Sequence, residues 1–405
     1  MNGRDVADGD LLPIGRRVAY WRTRRKLSQQ MFADQLGKSK SWVDKVERGV
    51  RSLDRVSTIH DIAAILRIDS TVLLSQENQA AAAPRRVGGA DRIRAALSTY
   101  DVVLGRATTQ PAPVPADQLA RAVEHVWTAY QHARYPQVAE VLPQLLIDAQ
   151  RTHALDPARG RVPLVEAYRL AASLLVKLDE TDLAWLAADR AMTTATGHRV
   201  LAAVAAVQLG QVLRASGRAK PAVRATLTAA YRVAPAEPGT GTAQQLSLCG
   251  TLLIQAALAA ARHADNRAAD DLVDEAAGMA DQVGDGHDHY RTAFGPTAVT
   301  AARTAIAVEL NDGRSAVAWH ETTIGRDGWR WLPAEHRAAH LLDAARSYLL
   351  IGDAAGAGRV LVEANHTAPA EMRCRPTARQ LLAQAAHDAD APAALVQLAT
   401  ALAVA

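Results

Sequence analysis

Ser41, Asp44, Lys45 and Arg48 follow one another at i, i+3, i+4 and i+7, with Lys40 just ahead of them. On a helix that spacing gathers all five on one polar stripe. The chemistry open to such a stripe is recognition rather than bond-making. Lys and Arg donate to guanine edges or phosphate oxygens, Ser donates or accepts, and a carboxylate accepts from the amino group of cytosine. Asp44 would repel a phosphate, so its place is a base edge or solvent. Groups suited to other chemistry are scattered. None of the 13 histidines sits in an HExxH or an H-x-E…C-x-x-C context. The densest ligand-like patch is Gly284-Asp285-Gly286-His287-Asp288-His289, readable as a metal loop or as an exposed turn. No GxxxxGK(S/T) or GxGxxG follows a strand, and no Ser, Cys or Asp stands out as an activated nucleophile. No enzyme, cofactor or metal site is indicated.

The elements that would position the stripe are helices. Apolar residues make up 49% of the 405, yet aromatics only 4%, so the core-forming residues are chiefly Ala, Leu and Val. Alanine has the highest helix propensity and is small enough to let helices approach closely. The period-2 alternation that strands need is missing over long stretches. The expected fold is therefore all-α. Ile14, Val18 and Trp21 mark the inner face of a first helix, with Arg16, Arg17, Arg22, Arg24 and Arg25 around the rest. Ser28 reads as the cap of a second helix burying Phe32, Ala33 and Leu36, which Gly37 ends in a turn that needs positive φ. Ser39 caps a third with Val43 and Val46 inward, stopped by Gly49; a fourth, Ser57 to Leu66, buries Ile59, Ile62, Ala63 and Leu66. Two short helices joined through a glycine, with the polar stripe opposite Val43 and Val46, make a helix-turn-helix.

The run Leu27-Ser28-Gln29-Gln30-Met31-Phe32-Ala33-Asp34-Gln35-Leu36-Gly37-Lys38-Ser39, followed by Trp42-Val43-Asp44-Lys45-Val46-Glu47-Arg48-Gly49, resembles the lambda-repressor/Cro-like helix-turn-helix family, also called Xre. About ten positions agree in order and spacing over about 55 residues. The resemblance implies a five-helix DNA-binding domain, placed at residues 1–76. It implies base-edge contacts from Lys40 and Ser41, with Asp44 and Lys45 near the groove. It also implies a phosphate held by Gln29, and further phosphate contacts from Arg48 and Arg51. With Ser39 as the cap of the recognition helix, the DNA-facing set is Gln29, Ser39, Lys40, Ser41, Asp44, Lys45, Arg48 and Arg51. Trp42 departs from the pattern by its bulk; it either stacks on a thymine methyl or sugar, or covers the core.

Residues 77–117 read as a linker, with flexible or extended stretches at Gln79 to Pro84 and Gln110 to Pro115. Between them Ile93, Leu97 and Leu104 align on a short amphipathic helix that docks on one of the domains or on its copy in a dimer. From 118 to 405, amphipathic helices alternate with Gly/Asp/Pro breaks. Leu341, Ala345, Tyr348, Gly352, Ala357, Leu361, Ala364 and Pro369 resemble a tetratricopeptide repeat, as do Leu209, Gly210, Leu213, Gly217, Ala222 and Ala229. Breaks at Arg134, Asp179, Gly217, Asp265, Gly313 and Gly352 are spaced irregularly and more widely than that repeat. The expectation is an α-solenoid of degenerate tetratricopeptide-like helix pairs with a concave groove. The resemblance places Gln208, Gln211, Arg214, Asp343 and Arg346 inward, where Gln and Arg suit a peptide backbone or carboxylate, although each also reads as an ordinary solvated residue. Tyr168, Arg169, Trp185, Trp329 and Trp331 are further candidates that packing also explains.

Charge separates the two parts. Net charge is +4, but residues 1–76 hold fourteen Lys/Arg against nine Asp/Glu, while the remainder is nearly balanced. A phosphate-binding surface needs that local excess. Cys249 and Cys374 lie far apart without a CxxC, which fits a reducing compartment. The first ten residues are polar and carry three acids, unlike a secretory signal, and no apolar run reads as long enough for a membrane. These features predict an intracellular protein, and the resemblance implies a homodimeric regulator in the bacterial cytoplasm, at the nucleoid. It binds double-stranded DNA and senses a peptide, small-molecule or protein signal through its repeats. The alternatives are a protein-interaction adaptor tethered to DNA, or the antitoxin-like half of a two-protein system.

Overall fold

In the computed structural model the described residues are 14–50, 56–66, 68, 89–100, 113–237, 240–388 and 391–404. They form twenty α-helices and, among the described residues, no strand. The chain divides into two compact units, Met1–Arg85 and Arg86–Ala405.

The first unit holds α1 (Ile14–Arg24), α2 (Gln29–Gln35), α3 (Lys40–Glu47) and α4 (Val56–Leu66). The fifth helix of the expected domain would lie outside the described residues. Ser28 Oγ accepts from the Met31 amide and Ser39 Oγ from the Trp42 amide, both at 3.1 Å, so the two caps start their helices as the residue types require. Gly37 (φ +62) and Gly49 (φ +75) end them. Val18, Phe32, Ala33, Val43, Val46, Ile62, Ala63 and Leu66 form the core, and Trp42 packs half-buried against it. Gly15 lets α1 cross α3 at backbone distance, because a Cβ there would run into the Val46 carbonyl.

One charged group ties these helices together. Glu47, on the inward face of α3, accepts from Arg22 of α1 at 2.6 and 3.0 Å and from the Gln29 amide of α2 at 2.8 Å. Arg22 also donates to the Leu27 carbonyl at 2.7 Å. The orientation of the polar stripe on α3 thus follows from a buried carboxylate and its two donors.

The second unit opens with α5 (Ala90–Leu97), which buries Ile93 and Leu97. Six helical hairpins follow: α6 (Ala116–Gln131) with α7 (Tyr135–Leu155), α8 (Pro157–Lys177) with α9 (Thr181–Thr194), α10 (Arg199–Ala215) with α11 (Ala219–Val233), α12 (Ala243–Arg262) with α13 (Asn266–Val283), α14 (Pro296–Glu309) with α15 (Gly313–Ile324), and α16 (Ala334–Leu350) with α17 (Ala354–Thr367). Short helices α18 (Pro369–Cys374), α19 (Pro376–Ala386) and α20 (Ala393–Ala401) pack on the last hairpin through Met372, Leu382 and Leu395. Helix α5 packs on α7, with Gly89 against Ala139 and an Arg94–Glu180 ion pair of 3.1 Å to the next hairpin. It belongs to the repeat unit; Leu104 lies outside the described residues.

Each hairpin turns on one residue in the left-handed region: Ala133, Asp179, Gly217, Ala264, Asn311 and Gly352. Asp265, Asp312 and Asp353 then cap the second helices of their hairpins by accepting from the Ala268, Ser315 and Gly356 amides. The breaks expected from sequence lie at or within two residues of these turns. The first helices form a row, α6, α8, α10, α12, α14 and α16, and the last of them packs back against α6. Helix α12 is enclosed, with every residue from Leu246 to Ala261 buried. It corrects the reading that no apolar run is long enough for a membrane: by length and composition α12 is, because its glutamines are too few to lower the mean. In the structure 83% of its apolar window is covered by neighbouring helices.

Buried polar groups close the row. Lys177 Nζ lies 2.6 Å from Glu335 Oε1 and 2.6 Å from Glu371 Oε1, and Tyr135 donates to Glu371 at 2.6 Å. Burial alone would raise the Glu335 carboxyl, but Lys177 and His336 hold it well below the usual carboxylate range. Between α15 and α16, His320 Nδ1 meets His340 Nε2 at 2.9 Å, with the rings 2% and 4% exposed. Burial brings their pKa values down to about 4 and about 3, so the two rings share one hydrogen bond as neutral tautomers.

Two outcomes follow. The histidine pair contributes stability that is fully present above the unfolded histidine pKa of about 6.5 and is lost as pH falls toward 4. Urea denaturation at pH 7.5 and pH 5 should differ by about 2 kcal/mol for each ring, and His340→Gln should flatten that part of the dependence. Replacing Glu47 by Ala leaves the Arg22 guanidinium without its carboxylate and should cost the first unit about 3–5 kcal/mol. Hydrogen exchange of peptides spanning residues 14–50 in the full chain reads this, and unchanged protection would refute the role given to Glu47.

Candidate nucleic-acid interface

Helix α3 is held from behind by Val43, Val46 and Glu47, and what remains is its outer face. Lys40, Ser41, Lys45 and Arg48 are exposed. Lys40 and Ser41 occupy the first turn, where the helix dipole adds partial positive charge. Asp44 is paired with Arg48 at 2.5 Å, so its charge is answered within the helix and Arg48 is partly spent. The stripe then offers two ammoniums without an ion-pair partner among the described residues and a hydroxyl, flanked by an internally balanced Asp–Arg pair.

The other sequence-derived positions serve the frame. Ser39 uses its hydroxyl oxygen to cap α3. Gln29 commits an amide N–H to Glu47 and is half-buried. Arg51 lies outside the described residues. Several arginines of the basic excess are engaged as well: Arg25 donates to the Leu66 carbonyl at 2.8 Å, and Arg24 lies over the Tyr20 and Trp21 rings while donating to the Tyr20 hydroxyl at 2.7 Å. Sequence reasoning passed over Glu47. Its signal was its register, one turn after Val43 and beside Val46, where a carboxylate must find a cation.

In the repeat unit the five groove candidates separate. Gln208 is buried, and its amide oxygen accepts from Arg169 Nε at 2.7 Å. Arg169 is fully enclosed; it also bonds Glu166 at 2.7 Å and the Tyr290 carbonyl at 3.0 Å, and lies over the Trp127 ring. Gln208 is thus part of an internal polar network, unlike the open groove position expected for it. Gln211 is half-buried.

Arg214, Asp343 and Arg346 do come together, from α10 and α16, with Glu309 and Arg262 beside them. Arg346 lies 3.6 Å from Glu309 and 3.7 Å from Asp343, and Arg262 lies 3.4 Å from Glu309. Burial pulls the Arg214 pKa down against the opposing pull of Glu309 and Asp343, while burial pushes the Asp343 carboxyl up against Arg346. Arg214 Nε is enclosed without a hydrogen-bond partner. Of the aromatic candidates, Tyr168 is buried and Trp329 packs edge-on to His340, whereas Trp185 and Trp331 are exposed. The His287 and His289 rings stack at 5.6 Å. Among the described residues no group of three or more His, Cys, Asp or Glu is placed to hold a metal ion.

Residues 13–74 match a family described as a helix-turn-helix domain. No curated protein matches the chain. Among solved structures the chain is similar to Bacillus thuringiensis PlcR, crystallised in complex with the peptide PapR7 and DNA. The sequence identity is 12%, the match covers 66% of this chain and 93% of that one, and the TM-score is 0.32. By its family match, the first unit carries a helix-turn-helix domain.

Proposed function

We propose that the chain is a sequence-specific, DNA-binding transcription regulator of the Xre type. In this reading residues 1–76 form the DNA-binding domain, 77–117 the linker and 118–405 a sensing domain of degenerate tetratricopeptide-like pairs. The observation that carries it is the outer face of α3: Lys40, Ser41 and Lys45 stand exposed on a capped helix whose orientation a buried carboxylate fixes. A solvated surface needs no such fixation, whereas groove readout does, because base edges are distinguished only by donors and acceptors in register. The local basic excess supplies the sequence-independent attraction to phosphate. Lys40 and Ser41 are assigned to base edges, Lys45 and Asp44 to the groove wall, and Gln29, Arg48 and Arg51 to phosphates, with Ser39 capping the reader.

A homodimer suits this arrangement, since two reading helices about 34 Å apart meet an inverted repeat on one face of DNA. The working compartment is the bacterial cytoplasm at the nucleoid, and the effector is a peptide, small molecule or protein taken up by the repeats. No catalytic step is assigned. With a site recovered by genome-wide mapping, the double substitution Lys40→Ala, Lys45→Ala should weaken operator binding by about 2–6 kcal/mol. Its thermal unfolding should match that of the parent, because both side chains are exposed. Fluorescence anisotropy with the operator and with a scrambled duplex measures this, and an undiminished operator affinity sinks the assignment of the reading face.

A further inference from the structure

The glycine-rich segment after α13 has no part in the reading above, yet it builds one wall of a cavity of about 380 Å³. The other walls are the end of α6 (Gln131, His132), the 3-10 turn Asp327–Trp331 and the first turn of α16. The wall is tailored for close approach. Gly286 lies beside the indole of Trp331 with φ +91, a backbone conformation that favours glycine. Gly328 leaves room for the Asp285 carboxylate behind it.

The two acids of the lining are consumed in holding this wall. Asp285 accepts from the Thr297 amide at 2.9 Å and the Thr297 hydroxyl at 2.7 Å. Asp288 accepts from the Ala293 amide at 3.0 Å and from Gln131 at 2.7 Å. The cations are not consumed. Arg337 is half-buried, with its Nε enclosed and without a hydrogen-bond partner among the described residues. Arg330 meets Asp327 only at 4.0 Å, and its guanidinium lies over the Trp331 ring at 5.5 Å. Pro333 gives the first turn of α16 no side-chain cap. Trp331, 54% exposed with Arg330 over its ring, offers the indole surface left open beside these donors.

We propose that this cavity binds a planar organic acid, with its carboxylate on the Arg337 guanidinium and its flat apolar part against Trp331. Both halves of the lining ask for that chemistry. A half-buried arginine whose Nε lacks an acceptor among the described residues is relieved by an anion, and the guanidinium fork matches a carboxylate in particular. An exposed indole face takes an aromatic or unsaturated surface rather than a flexible chain. The cavity is separate from Arg214, Asp343 and Arg346, and it touches both the first and the last helix of the closed row. As the sensing site of the regulator it rests on the functional reading above; as a binding site it does not.

Calorimetric titration of the full chain with indole-3-acetate, benzoate and the uncharged indole-3-acetamide tests it without reference to DNA. Saturable one-to-one binding of at least one acid is expected, with the amide about tenfold to a hundredfold weaker, as loss of a charge-assisted hydrogen bond implies. Arg337→Met should weaken the acid to the same degree. Trp331→Ala, at an exposed position, should weaken both compounds while leaving the melting temperature within about a degree of the parent. The proposal is overturned if neither acid binds at several millimolar, if acid and amide bind equally, or if Trp331→Ala and a folded Arg337→Met both bind like the parent. Should the acid bind while operator affinity is absent altogether, the site stands and the DNA-binding reading falls.

Discussion

Lys177 places its ammonium between two carboxylates, the nearer in sequence on α16 and the other 194 positions further along the chain. The rest of the repeat unit depends on that meeting. A row of helices stacked only on its neighbours has two ends; here α16 returns to α6, and the buried Lys177–Glu335–Glu371 group lies at the joint. Taking three ionised groups out of water is costly, and the cost is recovered only when each is fully partnered. Tyr135, His336 and Arg375 complete that partnering. The joint therefore has one well-defined closed geometry, and any loosening exposes charge without a partner. An alanine-rich chain needs such a device, because small side chains let helices touch at many registers and do not choose among them.

The same logic acts on a smaller scale in the first unit. A domain of short helices with a modest apolar core could tolerate some rotation of α3 about its axis. Glu47 removes that freedom by demanding two donors from two other helices at once. In both units, apolar burial supplies the compactness and a buried carboxylate supplies the uniqueness. The polar groups are few, so each counts.

Much of this was legible in the sequence, and the part that was not has a common cause. Periodicity gave the helices and the polar stripe, and cap and turn residues gave their ends: Ser28, Ser39, Gly37 and Gly49 act as their types demand. The hairpin turns were found even where Ala133, Ala264 and Asn311 stand in the left-handed region in place of glycine, because the breaks at Arg134, Asp265 and Gly313 lie within two residues of them. Pairing across long separations was not legible. Nothing local marks Gln208 as the partner of Arg169, Glu335 as the partner of Lys177, or the row as closed. Inward positions borrowed from a repeat pattern place a side chain on a face, but whether that face is open is decided by helices more than a hundred residues away. Helix α12 shows the converse, since composition alone fits a membrane span as well as a core helix and only its neighbours distinguish the two.

Charge counting in the first unit needs the same correction. The fourteen basic residues of the first 76 overstate what a polyanion meets, because Arg22 is paired with Glu47 and Arg48 with Asp44, two of the nine acids that the net excess already subtracts. What α3 presents without an internal partner is chiefly Lys40 and Lys45. Two ammoniums and a hydroxyl give direction to a contact but little affinity at physiological salt, where each phosphate contact is weakened by counterion competition. A single such module would bind DNA poorly and discriminate poorly. Two held at a fixed spacing gain from effective concentration without any new contact, provided the geometry lets both engage. Under the proposed function the modest outer face of α3 therefore favours paired modules, and the geometry of the pair becomes the quantity that the proposed sensing domain has reason to control.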